Sequence, residues 1–260
     1  MLRTNRVSKI LSGASILLAG SAALLMFIWP LLIQSQNQNE ANLAQTVFIL
    51  LMPMLVILIL IEVATGGIGS KQLAILGVLT ALNAVIRLLG AGTAGIETVF
   101  FLLILGAYVF GSGFGFLLGS TSLLVSALLT GGFGPWLPFQ MMAAGLIGLL
   151  AGLLPTLRRR IAQIWLLAVF AVFASYLYGS LMTLWNWPLL AGVGTSLSYS
   201  PGSALSDNLG NFLRYELFTG GFVWDTGRAI TTVALLIFAG PAVLATLRRA
   251  ANKAGFENSN

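Results

Sequence analysis

The chain has no cysteine and no histidine, and only 8% of its 260 residues are charged. Without cysteine there can be no disulfides, thiolate nucleophiles or cysteine metal sites. Without histidine, the commonest general base and the commonest metal ligand are both missing. Ser-His pairs and zincin motifs are excluded with them. The run Gly66-Gly67-Ile68-Gly69-Ser70-Lys71 lacks the Gly-Lys-Ser/Thr ending of a phosphate-binding loop. No chain of carboxylates crosses the hydrophobic stretches either, since Glu62 and Glu97 fall at stretch ends. These absences argue against an enzyme, against a metal or cofactor, and against uphill transport fuelled by this chain alone.

What is present is apolar. Hydrophobic residues make up 58% of the chain and the mean hydropathy is +0.96. A soluble domain carries about 25% charged residues. Apolar surface on this scale needs lipid as its solvent, so the chain reads as an all-α polytopic membrane protein. The net charge of +6 sits beside the apolar stretches and reads as a topology signal rather than a nucleic-acid surface.

Eight stretches read as transmembrane helices: 11–34, 44–64, 72–90, 96–110, 114–130, 138–155, 163–186 and 227–247. The first is longer than the roughly 7–15 residues of a signal-peptide core, so an uncleaved span is expected. The stretch 96–110 is short for a bilayer of about 30 Å and is expected to start or end in protein-lined space. Trp29, Trp165, Trp185, Trp187 and Trp224 fall near stretch ends, where interfacial aromatics belong. With the N-terminus in the cytoplasm, ten of the thirteen basic residues fall inside: Arg3, Arg6, Lys9, Lys71, Arg158, Arg159, Arg160, Arg248, Arg249 and Lys253. That split places both termini in the cytoplasm.

The expected organisation is a two-helix N-terminal hairpin over 1–66, a six-helix core over 71–250, and a cytoplasmic tail over 251–260. Within the core, 187–226 forms a long outer segment rich in aromatics, Ser, Asn and Gly. A structureless loop of that length is uncommon, so short helices or a re-entrant segment are expected there. The similar runs at 111–115 and 131–134 read as turn chemistry at helix ends rather than as a repeat.

Candidate functional residues fall in three groups. Ala74, Gly77, Ala81 and Ala84 share one face of the third stretch, and such a small-residue groove admits another helix, from within the bundle or from a partner. Asn83 and Arg87 lie toward the outer end of the same stretch. An intramembrane arginine there either meets a ligand or an ion partner such as Glu97, or snorkels to the surface. Asp225 and Arg228 stand at i, i+3 and are expected to pair at the start of the last helix. Trp136, Phe139 and Gln140, with Tyr199, Asn208, Asn211, Tyr215 and Trp224, would make an apolar cup with a few polar contacts. The alternative for those aromatics is a plain interfacial belt.

The small-residue face of 72–90, the tight glycine turns, and the run from Gly113-Phe114-Gly115-Phe116-Leu117-Leu118-Gly119-Ser120 to Leu128-Leu129-Thr130-Gly131-Gly132-Phe133-Gly134-Pro135-Trp136-Leu137-Pro138-Phe139-Gln140 carry a resemblance. The six-helix unit resembles the substrate-binding S-components of energy-coupling factor (ECF) vitamin transporters. The resemblance implies capture of a vitamin or related micronutrient at the outer face. It also implies docking onto a transmembrane scaffold subunit served by two ATPase subunits. The family's docking stripe maps onto Gly77 and Ala81, with Ala74 and Ala84 beside them. Its closing loops map onto 91–96, 131–138 and 187–226. Lack of histidine argues against a nickel or cobalt substrate, and the aromatic outer segment suits a large ligand of the cobalamin type. The N-terminal hairpin departs from the family's six-helix pattern. Two rival readings are a membrane scaffold without a small ligand and a stand-alone secondary transporter.

Overall fold

The structure, a computed structural model of the chain, describes residues 20–32, 37–65, 69–90, 96–190 and 194–254. Expectations for the basic N-terminus, the start of the first stretch, the 91–95 part of the first closing loop and the last six residues lie outside these. The described residues form eleven helices and no strand. They are α1 (Gly20–Leu32), α2 (Gln38–Thr65), α3 (Ser70–Leu88), α4 (Val99–Phe110), α5 (Ser112–Thr130), α6 (Leu137–Gly152), α7 (Arg160–Leu184), α8 (Trp187–Leu190), α9 (Leu205–Phe218), α10 (Gly221–Phe238) and α11 (Gly240–Ala254). Within α2, α3, α5, α7 and α10 lie stretches long and apolar enough to cross a membrane, while α1, α4 and α6 are shorter and apolar.

One expected span is corrected. The stretch 227–247 is not one helix: α10 ends at Phe238 and α11 begins at Gly240. Pro241 has no N–H to donate back to Ile237, and its ring crowds that carbonyl, so the helix breaks where a new one can start. The new helix is amphipathic. Leu244, Leu247 and Ala251 are buried on one side, while Arg248, Arg249 and Lys253 are exposed.

The chain packs as two compact units. The first holds residues 1–66 and 179–222, so the long segment placed in the core by the sequence reading groups here with the N-terminal helices. Its described core joins Trp29, Ala41, Leu184, Trp187, Tyr199 and Phe212. The expected interfacial role therefore fails for three tryptophans. Trp29, Trp185 and Trp187 are buried, whereas Trp165 and Trp224 are exposed. Burial is tolerated because the indole N–H of Trp29 donates to the Trp185 carbonyl at 3.0 Å and that of Trp187 to the Leu197 carbonyl at 2.8 Å. The segment 187–226 contains α8 and α9, in line with the expectation of short helices.

The second unit holds residues 67–178 and 223–260. Helix α4 is its centre: eleven of its twelve residues are buried, as expected of a helix apolar all round. At about 18 Å it is too short to cross a bilayer alone. Gly111, with φ of 94°, turns the chain from α4 into α5 in one residue.

Helices α5 and α6 approach at backbone distance. A Cβ on Gly115 would lie 2.3 Å from the Gly148 carbonyl oxygen, and one on Gly148 only 2.0 Å from that of Gly115. Gly119 meets the Ala144 backbone, Gly145 meets Ser120 and Phe116, and Gly152 meets Ser112. The Ser120 hydroxyl donates across the seam to the Met141 carbonyl at 3.0 Å. Small residues let membrane helices gain dispersion contacts over their full length. Gly113 and Gly115 thus belong to helix α5 and its packing, not to a turn.

Candidate functional site

The functional candidates are distributed over both units, each with its own local chemistry. In the first unit, Tyr199 is a core residue against Trp29 and Trp187, with ring centroids 6.2 and 5.7 Å apart. Asn208 receives the Ser200 N–H at 2.9 Å and donates to the Ser200 carbonyl at 3.1 Å. Asn211 donates to the Ser198 carbonyl at 3.1 Å and accepts from Arg214. Tyr215 packs on the same core. These polar groups fasten the 194–204 loop to α9, and that duty occupies most of their hydrogen bonds.

In the second unit, α3 and α5 are joined by a polar ladder. Thr80 meets Thr121 at 2.8 Å, Asn83 donates to the Ser122 hydroxyl at 3.1 Å, and Arg87 Nη1 donates to the Ser126 hydroxyl at 2.9 Å. Arg87 Nε also faces Glu97 Oε1 at 3.3 Å, so the expected ion pair is present. Both side chains keep about a fifth of their surface exposed. The Thr98 hydroxyl holds the same segment to the Ile86 carbonyl at 2.7 Å. The partly buried Glu97 carboxylate is stabilised by this counter-charge and by its place just before the N-terminus of α4.

A second ion pair lies on α10. Arg228 Nη1 contacts Asp225 Oδ1 at 2.5 Å, which agrees with the expected i, i+3 pairing, and also donates to the Ser175 carbonyl at 3.2 Å. Its guanidinium lies 5.0 Å from the Tyr178 ring centre and 5.7 Å from that of Phe100, and those two rings meet edge to face at 5.1 Å. The Tyr176 hydroxyl and Thr226 share a hydrogen bond at 2.8 Å beside it. Each of the two ion pairs sums to zero charge.

The other candidates sit apart from these pairs in character. Trp136 is 45% exposed and folds back on its own loop, since a Cβ on Gly134 would meet its ring at 2.4 Å. Phe139 is fully buried and serves packing rather than presenting a stacking surface, because α6 turns it inward. Gln140 is half-buried and Trp224 is 44% exposed. On α3, Ala74, Gly77 and Ala81 are exposed, and nothing lies within 4 Å of a Cβ built on Gly77. Ala84 is the exception and a correction: it is fully buried. It stands at the edge of the stripe that turns toward buried Thr80 and Asn83.

Three hollows are lined by described residues. One of about 10 Å³ touches Tyr199 and Asn208, one of about 260 Å³ lies between α7 and α10–α11, and one of about 380 Å³ lies between α3, α4 and α11. Arg87, Trp136 and Gln140 line none of the three. Sequence reasoning also missed Phe100, Tyr178 and Thr232. A usable signal existed: Arg228 and Thr232 stand at i, i+4 within an apolar helix.

Apolar helices of membrane-crossing length, with two charge-neutral ion pairs among the helices of the second unit, define a polytopic membrane protein. Residues 71–199 match the model of the family described as ECF transporter, substrate-specific component. Over those residues, just under half of the chain, the protein is similar to that family, which is one of transporter components. Neither the curated proteins nor the solved structures gave a significant match.

Proposed function

We propose that this protein captures a vitamin or related micronutrient on the outer face of the cell membrane and delivers it by docking to an ATP-driven ECF module. The module comprises a transmembrane scaffold subunit and two ATPase subunits. A ligand of the cobalamin type is favoured on the resemblance to S-components assigned to cobalamin, and the length of the outer segment 187–226 suits a large ligand. Five helices of membrane-crossing length support a multi-pass protein, the three shorter apolar helices are read as completing eight membrane segments with their neighbours' help, and the basic residues support both termini in the cytoplasm. Loops 131–138 and 187–226 then belong to the outer face, with Trp136 on the first of them and Gln140 in the first turn of α6 just after it.

The observation that carries the docking assignment is the open stripe on α3. Ala74, Gly77 and Ala81 are exposed inside the family-matched segment, and Gly77 has free space above it. Small residues at such a place let a partner helix approach to backbone distance. Gly77→Trp is expected to abolish co-purification with the scaffold subunit while leaving the melting temperature of the isolated protein within about 2 °C, since Gly77 is exposed and its Cβ position is open to 4 Å. Undiminished co-purification of the Gly77→Trp protein would remove the docking assignment.

A further inference from the structure

Most buried polar atoms of the second unit have partners, so those without one stand out. Arg228 is 8% exposed, and both of its recorded hydrogen bonds leave from Nη1, while Nε has none. Thr232 is fully buried, and its hydroxyl has no partner. The two stand one turn apart on the same face of α10. An N–H or O–H left unpaired inside a protein, with no water to replace the bond, is costly. Two such donors one turn apart on one helix are therefore a place where an acceptor belongs.

Charge balance decides the kind of acceptor. Arg228 is already neutralised by Asp225, and Arg87 by Glu97. A carboxylate or phosphate added here would leave a net negative charge within the membrane, beside the Asp225 carboxylate. Burying an unpaired charge costs far more than burying a hydrogen-bonded dipole. A neutral carbonyl gains both hydrogen bonds and disturbs neither ion pair. The Phe100 and Tyr178 rings beside the guanidinium supply apolar walls for the group that carries it.

We propose that Arg228 and Thr232 form the polar subsite for the transported ligand, and that the subsite takes a neutral carbonyl, such as that of an amide or ureide, rather than an anion. This assignment rests on the substrate-binding reading above and names the chemistry of its ligand.

The test uses the full chain in lipid nanodiscs and matched pairs of probes: nicotinamide with nicotinate, biotinamide with biotin, and cobalamin with a monocarboxylic acid derived from one of its amides. In at least one pair the neutral member is expected to bind at least about tenfold more tightly than its acid, the difference expected when one partner of a buried pair becomes a mismatched charge. Thr232→Val keeps the side-chain shape and is expected to weaken that binding about fivefold or more. Arg228→Gln alone strands Asp225, so the Asp225→Asn/Arg228→Gln double variant is measured beside it and is expected to lose the preference for the neutral member. Tighter binding of the acids, or unchanged affinity in both Thr232→Val and the double variant, overturns the subsite but leaves the protein a substrate-binding subunit. If no probe of any pair binds while the ECF module still co-purifies, the carbonyl subsite also falls. Loss of both binding and co-purification in the wild type would instead refute the transporter reading itself.

Discussion

Gly148→Ala tests the seam between α5 and α6 with a single methyl group. The added Cβ would lie 2.0 Å from the Gly115 carbonyl oxygen and 2.4 Å from its carbonyl carbon. A comfortable carbon–oxygen contact is roughly 3.4 Å, so the helices must part by over about 1 Å at this point. Neither neighbour is a flexible side-chain tip that can swing aside; both are backbone. Parting the helices there would also loosen the contacts at Gly119, Gly145 and Gly152, and the Ser120–Met141 hydrogen bond. Overpacking of this kind costs about 1–3 kcal/mol, and a backbone clash puts the site at the upper end or beyond. For a chain of this size each kcal/mol lowers the melting temperature by about 2–4 °C, giving an expected fall of about 6–12 °C. The assay is thermal unfolding of the detergent-purified protein, followed by tryptophan fluorescence. Gly77→Ala is the control, because its new Cβ meets nothing within 4 Å. If Gly148→Ala melts with the wild type, the close approach of the two helices is wrong.

Two further outcomes follow from the polar contacts. Glu97→Gln leaves Arg87 without its counter-charge; because both side chains are partly exposed, the expected loss is about 1–3 kcal/mol, read as a lower melting temperature that Arg87→Gln/Glu97→Gln partly restores. Asn208→Ala removes both bonds to the Ser200 backbone, and at about 1–2 kcal/mol for each lost bond the 194–204 loop is expected to exchange its amide hydrogens faster, with unchanged exchange refuting its role as the fastener.

The sequence made the helices legible because hydrophobic length is a strong signal in a chain with so few charges. Both ion pairs were legible too. Arg87 and Arg228 stand in apolar surroundings that oblige them to find partners, and acidic residues lie close by in the chain. Other features depend on distant packing. Nothing local separates a glycine that ends a helix from one that admits a neighbouring backbone, so Gly111 was read correctly and Gly115 was not. Tryptophans at stretch ends look interfacial until a core such as that around Trp29 and Trp187 is assembled from segments far apart in sequence. The break before α11 was readable from Gly240-Pro241, but the hydrophobic run on either side hid it.

If the stripe on α3 is the docking face, docking and the polar ladder of that helix lie on separate faces and can be separated by mutation. At about 100° per residue, Ala74, Gly77 and Ala81 fall within a sector of about 60°, and Thr80, Asn83 and Arg87 fall within another of similar width. The centres of the two sectors lie roughly 120° apart. Exposure divides them in the same way: the first three residues are open, while Thr80 and Asn83 are buried against α5. A helix with open small residues on one face and a polar ladder on another can change partner without breaking that ladder. Gly77→Trp should therefore leave the neutral-over-acid preference of the α10 subsite intact, and Thr232→Val should leave scaffold co-purification intact. If either variant moves both readouts together, the two faces are energetically coupled, and treating α3 as two independent surfaces is wrong.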